Sequence, residues 1–238
     1  MNNKPFGQIL KAALIAGLIA GTVASSFHWV FTEPIIERAI EIENQRHAPS
    51  AGTSEEPVVS RPMQKLGLFA GFLIYGAAWG LLFGLLAYAV RPWFSKINLG
   101  RQGFFLALLL GWAVGLFPLL KYPANPPGIG EAETIGYRQG LFVALIALSL
   151  IGATVALAVE RRWSGREKPA RAAVIVGYVA YLSLIYFALP GNPDLVKLSF
   201  DLVQSFRALS LFGQILFWVA MGGTFWWLSR KSVESPSR

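Results

Sequence analysis

The chain alternates between long apolar stretches and short polar connections. Six stretches of 18 to 25 residues contain no Asp, Glu, Lys or Arg: Ala12–Phe31, Leu66–Val90, Gln102–Leu120, Gln139–Val159, Ala172–Leu189 and Ala208–Ser229. A helix of roughly 20 apolar residues is long enough to cross the hydrocarbon core of a bilayer. The pattern therefore predicts an all-α membrane protein, a bundle of about six transmembrane helices that forms one domain over residues 1–238.

A soluble helical bundle is the alternative, but its helices would each carry a polar stripe, and these six do not. Composition also favours a membrane, because 54% of the residues are hydrophobic, only 14% are charged, and the mean hydropathy is +0.49. Soluble domains contain about a quarter charged residues. Cysteine is absent, which excludes disulfides, thiolate catalysis and cysteine-based metal sites.

Basic residues indicate the orientation of the spans. When the connections are assigned alternately to two sides, the side with both termini has 13 of the 21 Lys and Arg residues but only three of the 13 Asp and Glu residues. Cytoplasmic loops carry an excess of Lys and Arg, so both termini are predicted to lie in the cytoplasm. The lipid bilayer is thus the expected partner, and the net charge of +8 needs no nucleic acid to explain it.

An alternative for the first span is a cleaved signal peptide, since Lys4 and Lys11 precede an apolar run that contains the small residues Ala24–Ser26. The apolar run continues to Phe31, however, and cleavage would leave five spans with a new external N-terminus. We therefore expect the first span to be retained.

Small residues recur every four positions on the first three spans, which places them on one helix face and lets two backbones approach closely. The series are Ala13, Gly17, Gly21 and Ser25; Gly67 and Gly71; Gly76, Gly80 and Gly84; and Gly111 and Gly115. They predict close packing between helices.

Two of the predicted outer connections share a Pro-x-Asn-Pro sequence, at Pro123–Pro126 and at Pro190–Pro193, and each is followed by an arginine that opens the next span. Proline and asparagine are explained equally well as helix stops and turn formers. The equivalent positions also suggest repeated helical hairpins, with Asn125 and Asn192 lining a substrate vestibule between them.

Residues 32–65 form an outer loop that is predicted to be partly flexible, because residues 48–61 are rich in Pro, Ser and Glu. Its first part predicts an amphipathic helix in which Glu33, Glu37 and Glu41 share one face. That face is either simply solvated or a site that collects cations. A second surface helix is predicted after Asp194, with Asp194 as its N-cap.

Chemistry within the spans is sparse. The sequence contains no P-loop, G-x-S-x-G or H-E-x-x-H motif, so we expect neither an enzyme nor an ATP-driven pump, and no cofactor. The middle of each span also lacks the carboxylate or histidine on which ion-coupled pumps depend.

The two histidines and most carboxylates fall on the predicted outer side, with His28 near the end of the first span and His47 in the outer loop. Imidazole together with carboxylates suits a divalent ion such as cobalt, nickel or zinc. Hydrogen bonding at the membrane interface is the alternative role for His28. The predicted metal ligands are His28, Glu33, Glu37, Glu41, Glu131, Glu133 and Asp194.

The run Asn125–Arg138, with sequence NPPGIGEAETIGYR, resembles a signature of the CbtA family of predicted cobalt transporter subunits. The order of the spans, the proline-ended first span and the run Leu189–Asp194 are similar too, so the resemblance covers nearly the whole chain. It implies a bacterial inner-membrane protein that admits cobalt for cobalamin synthesis together with a small one-span, His-bearing protein (CbtB). Many relatives have a His-rich run in the first outer loop, where this chain keeps only His47.

Two functions remain open at this point. The first is a permease subunit for a divalent transition metal, with cobalt as the expected ion. The second is a non-transporting membrane scaffold or assembly factor whose outer loops bind a partner. The sequence leaves the oligomeric state open.

Overall fold

Every regular element that the computed structural model describes is helical; it describes residues 4–47, 60–94, 97–127, 129–163, 168–194, 196 and 198–230. The α-helices are α1 (Phe6–Phe27), α2 (Glu33–His47), α3 (Arg61–Ala89), α4 (Leu99–Leu110), α5 (Phe117–Lys121), α6 (Ile135–Arg162), α7 (Lys168–Ala188) and α8 (Phe200–Arg230). Six helical stretches in this part of the chain are long and apolar enough to cross a membrane. The predicted all-α membrane fold is therefore confirmed.

Shorter helical turns connect some of these helices. Two of them are π-helical, His28–Thr32 and Gly111–Leu116, and two are 3₁₀-helical, Arg91–Phe94 and Ala132–Thr134. The first π-turn joins α1 to α2, and the second joins α4 to α5, so that each pair forms one continuous helical stretch.

The helix of the first span continues past Pro34. Proline lacks an N–H group, and its ring crowds the carbonyl of residue i−4. The chain accommodates Pro34 by widening the preceding turn, in which the N–H of Glu33 bonds to the carbonyl of His28, five residues back. The helix then continues as α2 to His47, while residues 48–59 of the predicted flexible loop lie outside the described residues.

The chain divides into two compact units. Unit 1 comprises residues 1–108, 126–128 and 198–238, and unit 2 comprises residues 109–125 and 129–197. Unit 1 therefore holds α1, α2, α3, most of α4 and α8. Unit 2 holds the second π-turn, α5, α6 and α7.

Helices α1 and α3 of unit 1 pack directly through their glycines. A Cβ atom built on Gly80 would lie 2.7 Å from the carbonyl oxygen of Ala13, and one built on Gly17 would lie 2.8 Å from the Cα of Gly80. No side chain fits between backbones this close, as the small-residue pattern predicted. Gly67 and Gly71 differ, because a Cβ on either would meet nothing within 4 Å in the described part of the chain.

Helix α8 completes unit 1 by packing against α1 and α4. Its buried side chains are large and include Phe217, Trp218 and Phe225. Where α8 packs on α4 it carries Gly222, on which a Cβ would lie 2.9 Å from the Cβ of Ala107. Large side chains thus fill the centre of unit 1, and glycine permits the close approach.

Unit 2 has its own apolar core, formed by Phe117, Leu145, Leu182 and Ile185. Helices α6 and α7 pack together where the ring of Tyr181 lies on Gly152. The Tyr181 hydroxyl donates a hydrogen bond of 2.9 Å to the carbonyl of Leu148, which satisfies the only polar group of that side chain.

The predicted surface helix after Asp194 is not observed. Residues 196, 198 and 199 are not helical, and α8 begins at Phe200 and continues without a break through the sixth span. Residues 195 and 197 lie outside the described residues. Asp194 does not cap a helix, because its carboxylate binds other groups in unit 2.

Candidate functional site

His28 occupies the first π-turn of unit 1 and contacts three helical segments. Its Nδ1 atom lies 2.8 Å from the hydroxyl oxygen of Thr32, which is only 3% exposed. The imidazole stacks on Phe72 of α3 with ring centroids 5.2 Å apart. Its Nε2 and Cε1 atoms pack on Gly213 of α8, where any side chain would overlap the ring.

This arrangement determines which nitrogen of His28 is available. Because Nδ1 is engaged by Thr32, Nε2 is the ring nitrogen left for another ligand. The ring lies where it does only because residue 213 of α8 is glycine. His28 is thus a half-buried side chain with a fixed orientation.

Helix α2 begins directly after the π-turn and carries Glu33, Glu37 and Glu41 on one face. Two ion pairs join this face to the start of α3. Glu33, which is 7% exposed, lies 2.5 Å from Arg61. Glu37 pairs with Lys65. Glu37 is exposed and lies beyond the apolar span, and the hydrogen bond and charge of Lys65 lower the pKa of its carboxyl. Basic partners therefore already neutralise two of the three glutamates.

Glu41 lies one turn further along the same face, within 3.5 Å of the Gln45 amide. An open cavity of about 580 Å³ adjoins this face, lined by Glu37, Ile40, Glu41, Asn44, Gln45 and Arg61. His47 is the last residue of α2, and its side chain lies outside the described part of the structure.

Asp194 is the centre of a polar cluster in unit 2. Its carboxylate is only 2% exposed and lies 3.0 Å from Nε of Arg138. It also accepts hydrogen bonds from the Thr134 hydroxyl at 2.8 Å and from the Glu131 N–H at 3.3 Å. Burial of a carboxylate is tolerated when such charged and polar partners surround it.

The arginine of this cluster is held on its other side as well. A second Arg138 nitrogen donates to the carbonyl of Glu131 at 3.2 Å, and the guanidinium packs on Gly130, whose φ of 112° is in the region that favours glycine. The side chains of Glu131 and Glu133 are exposed. Asp194 thus joins the loop after α7 to the start of α6.

Asn125 and Asn192 line one cavity in unit 2, of about 620 Å³. Its other polar lining residues are Tyr122, Arg138 and Gln139, and the rest are apolar. The Tyr122 hydroxyl donates a hydrogen bond of 2.7 Å to the carbonyl of Pro190, which links the two Pro-x-Asn-Pro segments. These lining residues do not include Glu131, Glu133 or Asp194, the metal ligands predicted in this unit.

No three His, Asp or Glu side chains in the described residues come together as a group that could hold a metal ion. His28 and Glu33, Glu37 and Glu41 belong to one helical stretch of unit 1, while Glu131, Glu133 and Asp194 belong to unit 2. The predicted residues therefore form two sets, one in each unit.

A family model described as "Probable cobalt transporter subunit (CbtA)" matches residues 6–230. The chain belongs to this family. Comparison with curated proteins and with solved structures finds no significant match. The family and the six apolar helices together make the chain a multi-pass membrane protein of a transport system, and the word subunit implies a partner.

The contacts of the predicted site residues include residues that sequence reasoning did not select as functional. Thr32, Gly213 and Thr134 each contact a predicted site residue, as do the basic residues Arg61 and Lys65. Only the contact between His28 and Thr32 could have been predicted from local sequence, because residues four apart in a helix lie side by side. The other contacts join segments that are distant in the sequence.

Proposed function

We propose that this CbtA-family chain is the membrane-embedded permease subunit for a divalent transition metal, with cobalt for cobalamin synthesis as the expected cargo. The observation that carries the proposal is the single helical stretch in unit 1 that places His28 at the end of an apolar span and an acidic face directly beyond it. The family description supports transport of cobalt over that of other ions.

The imidazole of His28 would supply selectivity. Nitrogen ligands favour cobalt, nickel and zinc over magnesium and calcium, which prefer oxygen. Thr32 leaves Nε2 as the ligating atom, and hydrated cations would complete their coordination with water. A single protein ligand binds weakly, and weak binding is what conduction through a membrane requires.

The acidic face would attract the ion before it reaches His28. Glu37 and Glu41 line the open cavity of α2, and several carboxylates raise the local concentration of cations through their shared field. Arg61 and Lys65 already pair with Glu33 and Glu37 on this face. An arriving divalent ion would therefore exchange with these basic side chains instead of filling a preformed acidic site.

The cavity of unit 2 is proposed as the vestibule that contains Asn125 and Asn192. Its polar groups include amide oxygens, which suit a hydrated cation. The carboxylate of Asp194 would act there by holding Arg138 and the loop in position instead of by binding the ion. This changes the role expected for Asp194 from metal ligand to positioning residue.

We place the protein in a bacterial inner membrane with both termini in the cytoplasm, on the basis of the basic residues in its connections. The partner that the family description implies is proposed to be a small one-span, His-bearing CbtB-like subunit. Such a protein would add further imidazole ligands to that of His28.

Cobalt accumulation tests this proposal. Cells that express the chain with its partner should take up radioactive cobalt faster at limiting metal than cells without the gene, and nickel should compete better than magnesium. Equal uptake with and without the gene would contradict the proposal.

A membrane scaffold is the second candidate, and the pairing of Glu33, Glu37 and Asp194 with basic side chains favours it. Carboxylates that already have partners can serve structure alone. A scaffold predicts that deletion of the gene lowers the level of its partner protein but leaves cobalt uptake per partner molecule unchanged. Quantifying both in the same cells separates the two candidates.

A further inference from the structure

Three basic residues lie at one end of unit 1: Lys4 precedes α1, Arg91 follows α3 and Arg230 ends α8. The Lys4 ammonium donates a hydrogen bond of 2.8 Å to the carbonyl of Ser229, near the end of α8. The Arg91 guanidinium, just after α3, donates one of 3.0 Å to the carbonyl of Lys4. Arg230 follows Ser229 directly. The ends of α3 and α8 are thus joined by the segment that precedes α1.

The contact with Ser229 does not neutralise Lys4, because the ammonium binds a neutral carbonyl oxygen. The Ser229 hydroxyl is buried and has no partner among the described residues. Burial lowers the pKa of Lys4, and a neighbouring anion would offset that effect by stabilising the ammonium.

Exposed aromatic side chains surround the same end. Arg230 lies over the ring of Trp226 at 4.6 Å and Arg91 over that of Tyr88 at 5.8 Å. Tyr88 and Trp226 are 45% and 36% exposed. Aromatic residues of this kind mark the depth of lipid headgroups. Below Tyr88 on α3, Leu85 is 50% exposed and offers an apolar surface to an acyl chain.

We propose that this end of unit 1 binds the headgroup of an acidic phospholipid through Lys4 and Arg230. Basic pockets between transmembrane helices are a known type of site for such headgroups. The adjacent aromatic and apolar surface favours a phospholipid over a soluble phosphate, because only the lipid uses both. The proposal does not depend on which ion the protein transports.

Native mass spectrometry of the full chain in mild detergent provides the test. Phosphatidylglycerol and phosphatidylcholine with the same acyl chains are titrated against the wild type, Lys4→Gln, Arg230→Gln and the double variant. Loss of one basic side chain near anionic lipid should weaken phosphatidylglycerol binding about fivefold, and loss of both should weaken it roughly twenty-five-fold. Lys4→Arg should retain binding.

Arg162→Gln is the matched control, since it removes one positive charge from an exposed residue of unit 2. An equal loss in this control, or equal binding of the two lipids by the wild type, would overturn the site. Displacement of the lipid by millimolar inorganic phosphate would overturn its assignment to a phospholipid. If Lys4→Gln cannot be purified, Arg230→Gln decides alone, because that side chain is exposed and its loss leaves the helix contacts intact.

Discussion

At the scale of single residues, His28 depends on two neighbours that differ in chemistry. Thr32 engages one ring nitrogen, and Gly213 provides the space in which the ring lies. The widened turn that accommodates Pro34 contains both His28 and Thr32. A backbone irregularity forced by proline thus positions the side chain on which the metal proposal depends.

Replacing Thr32 with valine should destabilise the protein. The change leaves His28 Nδ1 without its buried partner, which costs about 1–3 kcal/mol. The apparent midpoint of thermal unfolding in detergent should fall for Thr32→Val and stay close to that of the wild type for Thr32→Ser, which keeps the hydroxyl. Equal midpoints for the valine and serine variants would show that the hydrogen bond contributes nothing.

Alanine at position 213 should displace the imidazole, because its Cβ would overlap Nε2 and Cε1 of His28. Gly223→Ala is the control, since a Cβ there meets nothing within 4 Å in the described residues. We expect Gly213→Ala to weaken cobalt uptake severalfold at limiting metal and Gly223→Ala to leave it unchanged. Normal uptake by Gly213→Ala would mean that the position of His28 is unimportant.

At the scale of helices, glycine spacing predicted close packing but not where it occurs. Gly76 and Gly80 pack on α1, whereas Gly67 and Gly71, with the same spacing, face open space in the described part of the chain. Spacing places residues on a common face, but only the neighbouring helix decides whether that face is covered. The structure therefore separates two series that look alike in the sequence.

This separation predicts different tolerances to leucine. Gly80→Leu should impair folding or assembly, because its side chain would force α3 away from the backbone of α1. Gly71→Leu should accumulate normally. The level of intact, monodisperse protein in membrane extracts measures both, and equal levels would argue against close packing of α1 with α3.

The six spans could be predicted because hydrophobicity over 20 residues is a local property. The π-turns could not, since prolines such as Pro34 and Pro118 normally end helices, and continuation depends on the packing around them. Asp194 was wrongly predicted to cap a helix because its partners, Arg138 and Thr134, are distant in the sequence. Local sequence patterns therefore do not show which polar residues from distant segments will pair in a site.

At the scale of the whole molecule, topology rests on the uneven distribution of basic residues. A reporter fused after Arg238 should be cytoplasmic, and one inserted in residues 51–56 should be external, because Lys and Arg predominate on the side of the termini. Both reporters on the same side would contradict the six-span topology.

The ion pairs between α2 and α3 predict a variant in which cobalt uptake improves at limiting metal. Arg61→Gln frees Glu33 and removes a positive charge from the cavity lining, so it should lower the cobalt concentration needed for half-maximal uptake about two- to fivefold. Arg38→Gln makes the same change in charge at an exposed residue of α2. A smaller effect is expected there.

Cobalt uptake by a combined variant is the sharpest test of metal entry past His28. His28→Ala together with glutamine at residues 33, 37 and 41 removes the nitrogen ligand and the acidic face, neither of which is needed for membrane insertion. Uptake at limiting cobalt should fall at least tenfold relative to the wild type. A tenfold loss of affinity corresponds to roughly 1.4 kcal/mol of binding free energy. The control is Glu160→Gln, which changes a carboxylate at the predicted inner side and should leave cobalt uptake normal. Wild-type uptake by the combined variant at equal protein levels would show that cobalt does not enter past His28 and this acidic face.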